Sequence, residues 1–281
     1  MPLIPLLLAA SAPALTVPAA CAGKDGWSEP TVPQRIAGNV WYVGTCGISA
    51  LLVTSPLGHL VIDGGPRDAG PLVARSIEAA GFRLHDVRWI LSSHEHHDHA
   101  GGIADLKRLT GARVAATAAN AAVLRTGIPA ASDPQAGSLD PFRPVVVDRV
   151  LADGETLRWG PIAITAHATP GHSPGSTSWT WRSCDGGTCH RFAYADSVSA
   201  VSAPAYRFAD HPAYLAGFRR ALATVAALDC DVVITPHPSA SGLFDKLAGK
   251  VPLAAPDACR AYAAQGRAGL DARLAREAAG Q

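Results

Sequence analysis

The 281-residue sequence predicts an α/β protein, a four-layer αβ/βα sandwich, and three observations carry that expectation. Apolar runs of strand length alternate with longer segments of helical periodicity. The alternation recurs in two similar halves, the second resuming at Val145, with no linker between them. Apolar residues make up 48% of the chain and charged ones 17%, so one large unit can bury a sizeable core. No short sequence repeat and no low-complexity tract interrupts the plan.

In order, Met1 to Ala20 contains no charged side chain, is apolar from Leu3 to Leu15, and ends in small residues at Ala19-Ala20. This reads as a signal peptide over 1–20, followed by one domain over 21–281. The run is too short and too broken by proline for a membrane span, so no stable membrane insertion is expected. Cys21 directly after Ala19-Ala20 leaves a lipoprotein reading open, although Pro18 sits badly for one.

Arg35 to Val43 reads as two short strands around Gly38-Asn39, and Ser49 to Val53 and His59 to Asp63 as two more. Ala69 to Ala80 reads as a helix stopped by Gly81. Val87 to Leu91 is a short buried strand, Ile103 to Leu109 a helix, Arg113 to Ala116 a strand, and Asn120 to Arg125 part of a helix. Thr126 to Pro144 is rich in Pro, Gly, Ser and Asp without periodicity, which suggests a functional surface loop. Gln135 lies in it, and a solvated side chain is the plainer expectation there. In the second half Val145 to Leu151, Thr156 to Trp159 and Ile162 to Ala166 read as strands, and Ser176 to Arg182 with Arg191 to Ala195 as a hairpin. Asp210-His211-Pro212 reads as an N-cap and first turn of a helix to Leu228. Asp231 to Thr235 is a last buried strand, and Pro256 to Ala279 a final helix.

The chemistry concentrates between the Val87 strand and the Ile103 helix. Ser93-His94-Glu95-His96-His97-Asp98-His99-Ala100-Gly101-Gly102 holds four imidazoles and two carboxylates within six positions. A loop at the carboxyl end of a strand is where α/β folds place their sites. Imidazole nitrogen and carboxylate oxygen are ligands of Zn²⁺ and similar borderline metals. His94 and His96, one residue apart, can face the same way, and Asp98 and His99 can serve a second metal. Glu95 points away by alternation.

His94-x-His96-x-Asp98-His99 resembles the H-x-H-x-D-H motif of the metallo-β-lactamase superfamily. With the downstream matches, the chain most resembles the secreted two-zinc enzymes of subclass B3, from about Trp27 to Cys259. The motif marks the superfamily strongly and the substrate weakly. The resemblance implies that Asp63, before Gly64-Gly65, braces the metal loop from outside the ligand set, where a plain turn residue is the other reading.

A catalytic zinc takes about three protein ligands and keeps an open position, so further histidines must converge on the loop. Thr169-Pro170-Gly171-His172-Ser173-Pro174-Gly175 follows the Ile162 strand, and its glycines allow the backbone to turn around the imidazole. It also matches the superfamily's T-P-G-H-x-x-G motif, which implies His172 as a ligand of the first metal with His94 and His96. His237, after the last buried strand, matches the histidine that joins Asp98 and His99 on the second metal. The cofactor expected is therefore Zn²⁺, two per chain. His59, His85, His167, His190 and His211 lack such a context. Ser197 stands where other subclasses place a zinc-binding cysteine, and Ser199 where the family binds a substrate carboxylate. Asp196 could bridge the metals, as an equivalent aspartate does in glyoxalase-II-like relatives.

Six cysteines in an exported chain suggest disulfides. Cys184 and Cys189 flank a turn between strand-like runs and should staple it. Cys21 with Cys46 and Cys230 with Cys259 are then the natural remaining pairs, a pattern that resembles certain subclass B3 enzymes.

A formal net charge of +1 and few aromatic residues argue against nucleic acid as a partner. The resemblance implies a monomeric periplasmic hydrolase that opens the amide bond of β-lactams (penicillins, cephalosporins, carbapenems) with a hydroxide held by the metals. Asp98 would orient that hydroxide, making it the catalytic residue. Three other readings compete: a hydrolase of lactones, thioesters or phosphodiesters on the same scaffold, an iron-dependent sulfur dioxygenase or redox protein, and an exported metal-binding protein without catalysis.

Overall fold

A computed structural model describes residues 15–280. Residues 1–14 of the expected leader lie outside the described residues. Its last residues, Val17–Ala20, form a short helix (α1), and the Val17 side chain is fully buried against the main core.

The first half forms a seven-stranded sheet whose strands lie in sequence order: β1 (Gln34–Ala37), β2 (Val40–Tyr42), β3 (Leu51–Val53), β4 (His59–Ile62), β5 (Val87–Leu91), β6 (Arg113–Thr117) and β7 (Arg149–Leu151). It begins as an antiparallel meander and turns parallel from β4 onward. Parallel strands need crossovers, which α2 (Gly70–Ala79), α4 (Ile103–Thr110) and α5 (Ala118–Thr126) provide or accompany. A one-turn helix, α3 (His97–Ala100), precedes α4. The second half forms a five-stranded sheet in the order β12-β11-β10-β9-β8. Its strands are β8 (Thr156–Trp159), β9 (Ile162–Ala168), β10 (Thr177–Asp185), β11 (Thr188–Tyr194) and β12 (Val232–Ile234). Helices α6 (Pro212–Ala227), α7 (Leu243–Leu247) and α8 (Ala258–Ala278) follow it.

Burial follows from strand alternation. Along β5, Trp89 and Leu91 enter the core between the sheets, while Ile90 between them enters the core under α2 and α4. The inter-sheet core is filled from both sides by Tyr42, Trp89, Trp179, Phe192 and Tyr194. A third core lies between the second sheet and α6 and α8. The layers are thus helix, sheet, sheet, helix, the αβ/βα sandwich expected from the sequence.

The differences are local. The strand expected from Val145 begins only at Arg149, because Val145 and Val147 pack into the helix-side core and the Asp148 carboxylate takes the Val114 amide. The hairpin strands run further, to Asp185 and from Thr188, closed by the Cys184–Cys189 disulfide. Asp210 is not the N-cap of α6. It ends a 3₁₀ turn (Phe208–Asp210), and His211 occupies the cap without a side-chain hydrogen bond. Disulfides also join Cys21 to Cys46 and Cys230 to Cys259, the latter tying α8 to the residues before β12. No helix among the described residues is long and apolar enough to cross a membrane.

Candidate metal centre

Four loops meet at the carboxyl ends of β5, β9, β11 and β12. The β5 loop brings His94, His96, Asp98 and His99; the β9 loop brings His172; the residues after β11 bring Asp196 to Ser199; and the β12 loop brings His237. Two loops are locked together by Glu95, which is buried and accepts hydrogen bonds from Ser173 Oγ (2.9 Å) and the Gly175 amide (2.8 Å). Gly175 is required by this approach, since a Cβ there would sit 2.6 Å from the Asn120 backbone. Gly171 is required likewise, because its Cβ would run into the Phe218 ring.

One ligand atom each from His94, His96 and His172 lie within 4.8 Å of one another, and so do those of His94, Asp98 and His99. Hydrogen bonds settle which nitrogen each ring offers, since a ring nitrogen held from behind leaves the other free. His94 Nδ1 is 2.8 Å from Asp196 Oδ1, and its Nε2 is buried without a partner. His96 Nε2 is 2.9 Å from Asp133 Oδ2, which leaves Nδ1. His172 Nδ1 faces the Ser199 carbonyl at 3.1 Å and the Ser199 hydroxyl at 3.0 Å, leaving Nε2.

The second group converges more tightly. Asp98 Oδ2 is 3.0 Å from His99 Nε2 and 3.3 Å from His237 Nε2, and the two imidazole nitrogens are 3.3 Å apart. Tetrahedral zinc with bonds of about 2.0–2.1 Å places its ligands about 3.3 Å apart. The donor set and its spacing therefore fit zinc, and the orphaned His94 Nε2 fits the same assignment.

Electrostatics follow from burial. Burial drives His94 down to about 4, with Asp196 opposing, so the ring is neutral and free to donate a lone pair. His172 is driven well below its ordinary value for the same reason. Burial alone would raise Asp98, but the charge and hydrogen bonds of His99 and His237 drive its carboxyl well below the usual range. Burial pushes Asp63 up to about 6 against the pull of His99 and Ser93.

Asp63 braces the loop. Its carboxylate accepts from the Ser93 amide (2.7 Å), the Ser93 hydroxyl (2.6 Å) and the Tyr194 hydroxyl (2.8 Å). It holds a left-handed φ of 65°, the one positive φ outside glycine among the described residues. Such strain persists only where surrounding contacts over-determine it. Ser197 and Ser199 line a cavity of about 380 Å³ beside His237 and α8. Asp196 spends Oδ1 on His94 Nδ1, and its Oδ2 is buried without a hydrogen-bond partner. His97 enters neither ligand group and lies 5.9 Å from the Trp27 ring, which is as close to His237. Gln135 reaches inward, with Nε2 3.5 Å from His172 Nε2. Sequence reasoning missed Trp27 and Asp133. An aspartate two residues before Gln135 in a long loop was the only signal for the latter.

Residues 43–185 match the model of the metallo-beta-lactamase superfamily. The metallo-β-lactamase MIM-1 from Novosphingobium pentaromativorans is 53% identical, with a TM-score of 0.92, over 94% of this chain and 98% of that one. The chain belongs to the metallo-β-lactamase superfamily. Within it the likeness runs to subclass B3: MEM-A1, a subclass B3 metallo-β-lactamase from a soil metagenome library, is 44% identical at a TM-score of 0.88, over 91% of this chain and 100% of that one. Among curated relatives, a hydroxyacylglutathione hydrolase of Acidiphilium cryptum (strain JF-5) is 31% identical over 154 residues, 55% of this chain and 49% of that protein. The chain spans about half the length or less of the curated relatives it matches first.

Proposed function

We propose that this metallo-β-lactamase is an exported two-zinc hydrolase that opens the lactam amide of penicillins, cephalosporins and carbapenems. The observation that carries the reading is a pair of adjoining groups: His94, His96 and His172 converge, Asp98 contacts His99 and His237, and the His94 and His99 rings lie 4.3 Å apart. Zinc in such sites polarises a carbonyl and lowers the pKa of water from about 15.7 toward about 7.

The residues do the rest by position. The first group sits where it can receive the lactam carbonyl. Asp98 uses Oδ2 toward His99 and His237, so Oδ1 is left to accept a hydrogen bond from the attacking water and fix its direction. Water adds across the C–N bond, oxygen to the carbonyl carbon and a proton to the ring nitrogen. Hydrolysis by a metal-held hydroxide needs no serine nucleophile, so no acyl-enzyme is expected. Ser197 and Ser199 hold the substrate carboxylate. The Ser199 carbonyl and hydroxyl both face His172 Nδ1, so the carbonyl can keep the ring oriented when the hydroxyl turns to substrate.

Three disulfides among the described residues support an oxidising compartment, here the periplasm, reached with an N-terminal leader within Met1–Ala20. A monomer taking a small-molecule substrate is the simplest state. The curated relatives favour a second reading, thioester hydrolysis on the same centre. Turnover of nitrocefin, imipenem and a glutathione thioester, with and without chelator, separates the two. Thioester turnover with inert β-lactams would refute the first reading, and full activity after zinc removal would refute both.

A further inference from the structure

We propose that Asp133 is the positioning residue of the first metal site, and that through it metal loading orders the loop that carries Gln135. This rests on the reading of His94, His96 and His172 as a zinc site.

Asp133 lies in the irregular Thr126 to Pro144 stretch, yet only 2% of it is exposed. A buried carboxylate in a loop is costly unless both oxygens are satisfied. Both are. Oδ2 lies 2.9 Å from His96 Nε2, and Oδ1 accepts the Gln135 amide at 2.7 Å. The loop is fastened on its far side as well, where the Pro134 carbonyl accepts the Ala203 amide at 2.8 Å.

The consequence for His96 is a choice of tautomer. With the proton on Nε2 and donated to Asp133, Nδ1 carries the lone pair and is the only nitrogen left to ligate. The opposite tautomer would aim a lone pair at a carboxylate and a proton at the metal. Asp133 therefore selects the ligating form of His96 and fixes its ring plane, as carboxylates behind metal-bound histidines do. Asp196 does the same for His94, but through Nδ1 and from a strand end. Asp133 couples a ligand to a long loop without regular structure.

The coupling runs both ways, because linkage is reciprocal. Ligation of Nδ1 strengthens the Nε2–H donor, and with it the grip on Asp133. The other oxygen of Asp133 holds Gln135, whose side chain reaches to 3.5 Å from His172. Loading the first site thus secures the segment that would face substrate.

The test compares wild type, Asp133→Ala, Asp133→Asn and Asp140→Asn, an exposed charge on the same loop. Zinc affinity is read by chelator competition, ligand geometry by the visible spectrum of the cobalt-substituted protein, and loop order by amide exchange over residues 126–144 with and without zinc. Expected for Asp133→Ala is a 10–100-fold weaker first site with an altered cobalt spectrum, the range for partners behind metal ligands. The protection that zinc confers on the loop should be lost. Asp133→Asn should fall between, since its amide oxygen still accepts from Nε2, and Asp140→Asn should match wild type. Wild-type affinity and spectrum in Asp133→Ala, in protein that itself binds zinc and opens β-lactams, would overturn this proposal alone. A wild type that binds no zinc would overturn the reading of the centre and this proposal with it.

Discussion

Asp98→Asn separates the two metal sites. The substitution keeps size and shape and removes one negative charge from the second group. Asp98 Oδ2 stands 3.0 Å from His99 Nε2 and 3.3 Å from His237 Nε2, so the amide oxygen can still take that place, but as a much weaker zinc ligand. The second site is left with two imidazoles, one of them on the partly exposed His237. The first site keeps His94, His96 and His172 with their partners Asp196, Asp133 and Ser199. Partners behind metal ligands are worth about 10–100-fold, so loss of a ligand that also orients the attacking water should cost at least about 100-fold in turnover, or about 2.7 kcal/mol of barrier. Zinc content by mass spectrometry should drop from about two toward about one per chain, alongside the fall in nitrocefin hydrolysis. Near-native hydrolysis with both metals retained would refute the division of roles along the His94 to His99 loop.

Glu95→Ala removes the acceptor shared by Ser173 and Gly175 and strands two buried donors, so urea unfolding should show a loss of about 3 kcal/mol; a loss below about 1 kcal/mol would contradict the role given to Glu95 in joining the loops. Burial holds His59 below its ordinary value of 6.5, with Asp86 opposing, so its stabilising effect is present above 6.5 and is lost as the pH falls. His59→Gln should therefore flatten the decline of Tm on acidification, and an unchanged slope would rule His59 out as its source. The Cys230–Cys259 bridge spans 29 positions and Cys184–Cys189 spans 5, so replacing the first pair by serine should cost about 3–4 kcal/mol and the second about 2 kcal/mol. The reverse order in thermal unfolding would show that chain closure is not what these bridges contribute.

What was legible in the sequence was local. The His94 to His99 loop announces itself because its ligands lie within one turn of chain, framed by a buried strand and Gly101-Gly102. His172 is framed by glycines that the packing of Phe218 and Asn120 turns out to require. Strands β4, β5 and β12 were readable because strands buried on both faces give unbroken apolar runs. The Val145 run was misread for the same reason: an apolar run of strand length packs equally well as irregular backbone when its amides find other acceptors. Here the Val145 amide goes to the Leu124 carbonyl.

What was not legible depends on pairs that only the fold brings together. His94 and Asp196 are 102 positions apart, and His96 and Asp133 are 37 apart. Neither aspartate differs in its local sequence from a solvated turn residue. Both become decisive only when an imidazole turns its back on them, because the partner of one ring nitrogen determines what the other can do. A motif thus names which side chains can bind a metal, while the tautomer in which they bind is set by residues outside it. The ligand candidates could be named from the sequence, whereas the ring nitrogens that Asp133 and Asp196 hold could not.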